Sequence, residues 1–146
     1  MRAVIQRVAH ASVSVDGVQT GACGRGLVVL LGVAPDDTET QVTWLVNKIS
    51  SLRIFADDAG KMNDSLLDQG LSALVVSQFT LYGETRRGRR PGFSKAAHPS
   101  IAEPLYERFC DALAAKGVSV GRGVFGANMA VSLVNDGPVT LIVDTP

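Results

Sequence analysis

Gly26-Leu27-Val28-Val29-Leu30-Leu31-Gly32-Val33 is the stretch on which the fold turns. It is apolar without a break and bounded by glycines. A run of this kind suits a strand buried on both faces, and such a strand needs cover on both sides. Its neighbours in sequence supply candidates for that cover.

Upstream, Val4, Ile5 and Val8 belong to one strand-like run. Val13 and Val15 alternate with Ser12 and Ser14, the period of a half-buried strand. Asp16-Gly17 is a dipeptide favoured in two-residue hairpin turns. Downstream, Pro35-Asp36-Asp37-Thr38 marks a helix start, where acidic groups suit the dipole and either Asp37 or Thr38 can cap. Val42, Leu45, Val46, Ile49 and Leu52 then recur at helical spacing, with Trp44 and Lys48 off the stripe. A short strand is expected over Arg53 to Phe55, and a loop or weak hairpin from Ala56 to Gly70. Leu71 to Leu81 reads as another strand, and Tyr82 to Pro99 as an irregular polar loop. Ile101, Leu105, Phe109 and Leu113 predict a second helix from about Ser100 to Lys116, stopped by Gly117. Pro104 is tolerable there only within the first turn. The chain closes with two strand-like runs, Met129 to Asn135 and Val139 to Val143, separated by Asp136-Gly137-Pro138. The order of strands and helices predicts one mixed α/β domain over residues 1–146, with predominantly antiparallel sheets packed against two main helices.

Composition agrees with a globular domain: 146 residues, 46% apolar and 19% charged. The formal net charge is zero, so any contact with nucleic acid must come from a local patch. The N-terminal residues lack the apolar core of a signal peptide, and no apolar run is long enough to span a bilayer. A cytoplasmic location is the expectation. Cys23 and Cys110 lie far apart, form no CxxC pair, and have neither His10 nor His98 at ligand spacing. They read as two reduced, buried thiols, and no metal or cofactor is inferred.

The usual catalytic constellations are missing. There is no GxSxG elbow, no phosphate-binding GK[ST] loop, no HExxH and no GxGxxG between strand and helix. His10 lies in a strand-like segment and His98 beside Pro99, poor places for a catalytic base. An enzyme built from this chain must rely on backbone groups and positioning. Three segments stand out. Ser77-Gln78-Phe79-Thr80 leaves an apolar strand just before a loop, a common place for a site, although Thr and Phe are also simply good strand formers. Arg86-Arg87-Gly88-Arg89-Arg90, with Lys95, holds 5 of the 14 basic residues within ten positions and either pairs with phosphates or forms a solvated, charge-rich surface loop. Asn135-Asp136-Gly137-Pro138 reads, by itself, as a plain turn.

Taken together these segments resemble the bacterial D-aminoacyl-tRNA deacylase family over essentially the whole chain. Gln6-Arg7-Val8 with Ala11-Ser12-Val13 resembles the family's opening, and Lys48 to Phe55 followed by Met62-Asn63 its middle. Ser77 to Gly83, SQFTLYG, is one signature, and Gly126 to Thr140, GANMAVSLVNDGPVT, is the other. The family often has Ser where this chain has Gly92. The resemblance implies the family's fold and a homodimer with active sites at the subunit interface. Gly137-Pro138 matches a Gly-cis-Pro motif that reaches into the partner's site. Its carbonyls would hold the substrate ammonium, while its rigid backbone clashes with an L side chain and lets a D side chain point outward. Glycine passes because it has no side chain. The implied reaction is hydrolysis of the ester between a D-amino acid and the terminal ribose of tRNA, with glycyl-tRNA, including tRNA-Ala mischarged with glycine, as a further substrate.

In that frame the Phe79 N–H faces the oxyanion and Gln78 orients the substrate or its own loop. Thr80 matches a residue proposed as nucleophile, but a water helped by the 2′-hydroxyl suits a chain with no evident base. Ser77 and Met129 line the substrate pocket. Arg86, Arg87, Arg89 and Arg90 meet the phosphates of the acceptor stem. Two rival readings are an RNA-binding module without activity and an esterase of small D-amino-acid esters.

Overall fold

The computed structural model describes Met1–Pro146. The opening residues form one long strand, β1 (Arg2–Val15), whose inward positions Ala3, Ile5, Val8, Ala11 and Val13 are all buried. Asp16 and Gly17 both take positive φ, as a tight hairpin turn between twisted strands requires, and lead into β2 (Val18–Cys23). The decisive apolar run is β3 (Gly26–Gly32), buried on both faces as its composition predicts. It pairs antiparallel with β1 on one edge and parallel with β6 (Ser72–Ser77) on the other. β7 (Ser119–Arg122) continues the sheet, giving the order β2-β1-β3-β6-β7. Its two ends curl until they touch. A Cβ at Gly21 would lie 2.3 Å from the carbonyl oxygen of Arg122, and one at Gly121 2.3 Å from that of Ala22.

This curl splits the apolar residues into two cores. Val8, Ala11, Val13, Cys23, Val28, Leu74 and Val76 form the smaller one. The alternate residues of the same strands, among them Ile5, Leu27, Val29, Leu31, Ala73 and Val75, join the helices in the larger. The first helix, α1 (Glu39–Ser51), is capped by Thr38 and not by Asp37. The Thr38 hydroxyl accepts from the Thr40 N–H, and Gln41 reaches back to the Thr38 N–H at 2.9 Å. Asp37 instead accepts from the Ala34 N–H and from the Met1 ammonium group, each at 2.6 Å. Val42, Leu45, Val46 and Ile49 are buried as the stripe predicts, and the Lys48 ammonium lies over the Trp44 ring on the outer side. A small hairpin follows, β4 (Phe55–Ala56) and β5 (Met62–Asp64). The expected strand at Arg53 to Phe55 thus starts two residues later.

The second helix, α2 (Pro99–Ala115), packs beside α1 over the large core. It departs from expectation twice. Its buried face is Ala102, Leu105, Tyr106, Phe109, Cys110 and Leu113, while Ile101 stays exposed. Pro104 lies beyond the first turn. It removes the bond that Ser100's carbonyl would accept, and both residues are exposed, so water can take that place. Gly117, at φ +94°, ends the helix as predicted.

Two expected strand boundaries are overturned. The strand predicted to reach Leu81 ends at Ser77. The Gln78 N–H makes the last rung to the Leu31 carbonyl at 2.8 Å, and Phe79–Tyr82 then coils into a short 3-10 helix. Gly32 makes room for it, since a Cβ there would sit 3.1–3.3 Å from Gln78, Tyr82 and Leu81. Nor does Asp136-Gly137-Pro138 separate two paired strands. One strand, β8 (Ala130–Asp144), runs antiparallel along all of β1. Gln6 faces Thr140 and Val8 faces Asn135, so residues 136–139 bulge from the ladder. The Gly137–Pro138 peptide within the bulge is cis, as the resemblance implies. β8 has a strand partner on one side only, and Val134, Leu141 and Ile142 are exposed along it.

Candidate active site

At the end of β3 and β6 lies a cleft of about 550 Å³, floored by Leu31, Val33 and Val76. α2 supplies Pro99, Ala102 and Tyr106 to one wall. The Phe125–Met129 segment, between β7 and β8, supplies another. Thirteen of its 18 lining residues are hydrophobic, so polar groups at its edge define orientation. Tyr106 turns its hydroxyl away to the Val75 carbonyl at 2.9 Å, and burial holds its pKa well above the ordinary value. It is therefore a wall and not an acid.

Ser77, Gln78, Phe79 and Met129 line this cleft, four of the residues named from the sequence. Phe79 and Thr80 head the 3-10 helix, and neither N–H donates a hydrogen bond within the chain. This is the ordinary consequence of a helix start, whose first donors lack intrahelical acceptors. Here those donors stand at the mouth of a cleft. Thr80 itself does not line it. Its hydroxyl accepts from the side-chain amide of Gln78. No carboxylate or imidazole bonds to Thr80. His98 serves as the N-cap of α2, its Nδ1 accepting from the Ser100 N–H at 3.3 Å. His10 is exposed on β1.

The arginine segment forms a loop beside the cleft. Glu84 and Gly92 exchange two backbone hydrogen bonds, 2.8 and 3.0 Å, that pinch its base. Arg86 and Arg87, with Glu84 and Lys95, line a shallow basin. Arg86 makes a two-pronged pair with Glu84 at 2.9 and 2.6 Å, and these bonds hold the Glu84 carboxyl at a pKa of about 2. Arg87, Arg89 and Arg90 are exposed and make no ion pair or side-chain hydrogen bond. Nothing lies within 4 Å of a Cβ at Gly92, so Ser fits in that place without altering the loop.

Gly137 and Pro138 do not line this cleft. Their bulge is fixed from below by Arg7. Its Nε donates to the Asp136 carbonyl at 3.0 Å and lies 3.1 Å from the Asp136 carboxylate, and Nη1 donates to the Ile54 carbonyl at 2.7 Å. Asn135 donates to the carbonyls of Arg7 and Val139 at 2.8 and 3.3 Å. Both cysteines are buried and free, and burial raises both thiols, Cys110 to about 11. Neither is an activated nucleophile.

Sequence reasoning missed Phe93, Tyr106, Ala102 and Phe125 among the lining residues. Phe93 carried a visible signal, an aromatic side chain within a polar, arginine-rich loop. Tyr106 and Ala102 carried only the offset of the helical stripe by one position.

Comparison with known proteins places the chain. A family model described as D-Tyr-tRNA(Tyr) deacylase matches residues 4–144. A D-aminoacyl-tRNA deacylase of Roseiflexus castenholzii is 62% identical over 99% of this chain and 92% of its own. That of Thermus aquaticus is 59% identical over 99% and 95%. Among solved structures, one titled c-Myc DNA Unwinding Element Binding Protein superposes with a TM-score of 0.94 at 42% identity, covering 100% of this chain and 99% of that one. A probable eukaryotic D-amino acid tRNA deacylase shares the fold at 21% identity and a TM-score of 0.87, covering 99% and 98%. With a family model spanning nearly its full length and relatives this similar, the chain belongs to the D-Tyr-tRNA(Tyr) deacylase family.

Proposed function

We propose that this protein hydrolyses the ester of D-aminoacyl-tRNA through backbone groups at the start of the Phe79–Tyr82 helix, acting as a homodimer that rejects L-aminoacyl substrates. The observation that carries the reading is the pair of unpartnered N–H groups at Phe79 and Thr80, beside an apolar cleft. An aminoacyl ester is already activated. Preorganised donors aimed at the developing oxyanion supply much of what its hydrolysis needs. The Thr80 hydroxyl is engaged by Gln78 and has no base, so water attacks, aided by the 2′-hydroxyl of the terminal ribose.

The unpaired edge of β8, with its exposed Val134, Leu141 and Ile142, supports the dimer, because such an edge is ordinarily covered. The Gly137–Pro138 bulge lies apart from the cleft of its own chain, so a role in chirality needs a partner's site to receive it. In that role it bars an L side chain, admits varied D side chains and lets glycine through, on tRNA-Ala among others.

The direct test is a deacylation time course on one tRNA charged separately with D-Tyr and L-Tyr, using EDTA-treated protein. Loss of D-Tyr with L-Tyr spared is expected. Failure on both by a folded dimer would leave an RNA-binding module as the better reading. Turnover of small D-amino-acid esters with charged tRNA untouched would favour the esterase.

Gly137→Ala tests the chiral wall. Its Cβ would lie 2.7 Å from Oδ1 of Asn135, whose side-chain amide ties the Arg7 carbonyl of β1 to the Val139 carbonyl across the bulge. The Asn135 side chain must move, which disturbs the two hydrogen bonds with which it holds the bulge. The ratio of D-Tyr to L-Tyr rates is expected to fall at least tenfold in a variant that still folds. An unchanged ratio would sink the assignment of chirality to this bulge.

The loop test concerns RNA. Neutralising Arg86 and Arg87 together is expected to weaken tRNA binding and to flatten the slope of log Kd against log salt by about one. Arg87 should account for most of it, because Arg86 is already paired with Glu84. Binding that keeps its salt slope would return the loop to a solvated surface.

A further inference from the structure

We propose that Phe93 is a positioning residue that couples RNA contact at the arginine loop to the geometry of the Phe79 N–H; the inference rests on the deacylase reading above. Phe93 follows the pinch at Glu84 and Gly92, so it is the first side chain after the loop's base. Its ring meets the Phe79 ring edge to face, centroids 5.1 Å apart at 69°. It also lies against Gly83, which ends the 3-10 helix. The nearest Phe93 ring carbon is 3.2 Å from where a Cβ at Gly83 would stand. One ring therefore touches both the first residue of the catalytic turn and its C-terminal cap.

The chain after Phe93 is anchored too. The Ala96 N–H bonds to the Phe93 carbonyl at 3.0 Å, and the Ala97 N–H to the Val33 carbonyl at 2.9 Å. With its far side fixed beyond the end of β3, a shift of the pinch is passed to the ring. Phe79 is 57% exposed and Phe93 38%, and neither belongs to either buried core. Their contact therefore contributes little to folding, and its consequence is the placement of the Phe79 backbone. A free loop lets this placement relax, while a loop held on phosphates fixes it. The contact thereby ties the chemical step to the seating of tRNA.

Three single variants and one double variant test the coupling on D-Tyr-tRNA, with single-turnover rates at saturating enzyme and Kd for the uncharged tRNA. Phe93→Ala is expected to slow the chemical step about tenfold to a hundredfold, the scale of a misplacement near 1 Å. Its Kd should stay within about twofold, and its thermal midpoint should hold. Phe93→Tyr keeps the ring and should restore the rate to within about threefold. Arg87→Ala should lower the saturated rate in the wild-type background and not lower it further beside Phe93→Ala, the non-additivity of a shared path. An unaffected rate in Phe93→Ala, or joint loss of rate, affinity and stability, overturns the coupling while the deacylase reading stands. An inactive wild-type protein overturns both.

Discussion

Replacing Phe79 with proline is expected to lower kcat by about a hundredfold to a thousandfold relative to Phe79→Ala, with the fold intact. The size follows from what the loss of one oxyanion donor typically costs an ester-cleaving or amide-cleaving enzyme. The comparison with alanine isolates it. Both substitutions remove the aromatic ring and its contact with Phe93, but only proline removes the N–H. Proline is also sterically suited to the place. Phe79 is the first residue of a 3-10 helix, where the missing donor has no intrahelical partner to lose. The preceding Gln78, at φ −146° and ψ 77°, lies outside the α region that a following proline disfavours. Thr80→Ala completes the set. It deletes a hydroxyl that accepts from Gln78 and touches no base, so activity should fall less than about tenfold. If Thr80→Ala instead loses several orders of magnitude and Phe79→Pro matches Phe79→Ala, the hydroxyl is the nucleophile and the backbone reading is wrong. Rates measured on D-Tyr-tRNA for the three proteins decide it.

This site shows where local sequence stops determining structure. The burial of β3, the tight turn at Asp16-Gly17 and the inward face of α1 follow from residue type and spacing, because their neighbours in space are largely their neighbours in pattern. Thr80 and Leu81 are as apt for a strand as Val75 and Val76. What ends β6 at Ser77 is the length of β3, which offers the Leu31 carbonyl to Gln78 as its last rung. That limit lies forty-six residues away in sequence and leaves no local mark. The segment Asp136-Gly137-Pro138 is similar. As a dipeptide and a proline it reads as a turn. The strand continues past it only because β1 is long enough to pair both flanks. Arg7, which holds the bulge, stands among strand residues with nothing in its own surroundings to show that role. The cleft walls were hidden for another reason. Ala102 and Tyr106 belong to a helical face whose direction is set by packing on the large core, one position away from the stripe that the sequence displays.

Gly26→Ala is expected to destabilise the protein by more than about 4 kcal/mol, enough to leave little of it folded. A glycine at a strand start usually invites an entropic explanation, under which alanine would be neutral or helpful. The surroundings of Gly26 reverse that sign. A Cβ there would lie 1.7 Å from the Ser72 carbonyl oxygen and 2.7 Å from its carbon, both backbone atoms that cannot swing away. Gly26 also has Val8 of β1 on one side and Ser72 of β6 on the other, so the strand cannot shift toward either without breaking a ladder. Relief therefore means parting β3 from β6 at the point where the parallel pairing begins. That pairing positions Leu31 against Ser77 and hence the first turn of the site. Gly24→Ala, two residues earlier, supplies the control. Nothing lies within 4 Å of its Cβ, and the change should stay within about 0.5 kcal/mol. Urea unfolding of the two variants measures the difference. Equal midpoints would mean that β3 and β6 separate at this end at little cost, and the same freedom would then reach the Phe79 N–H, since the helix begins where the pairing of these two strands ends.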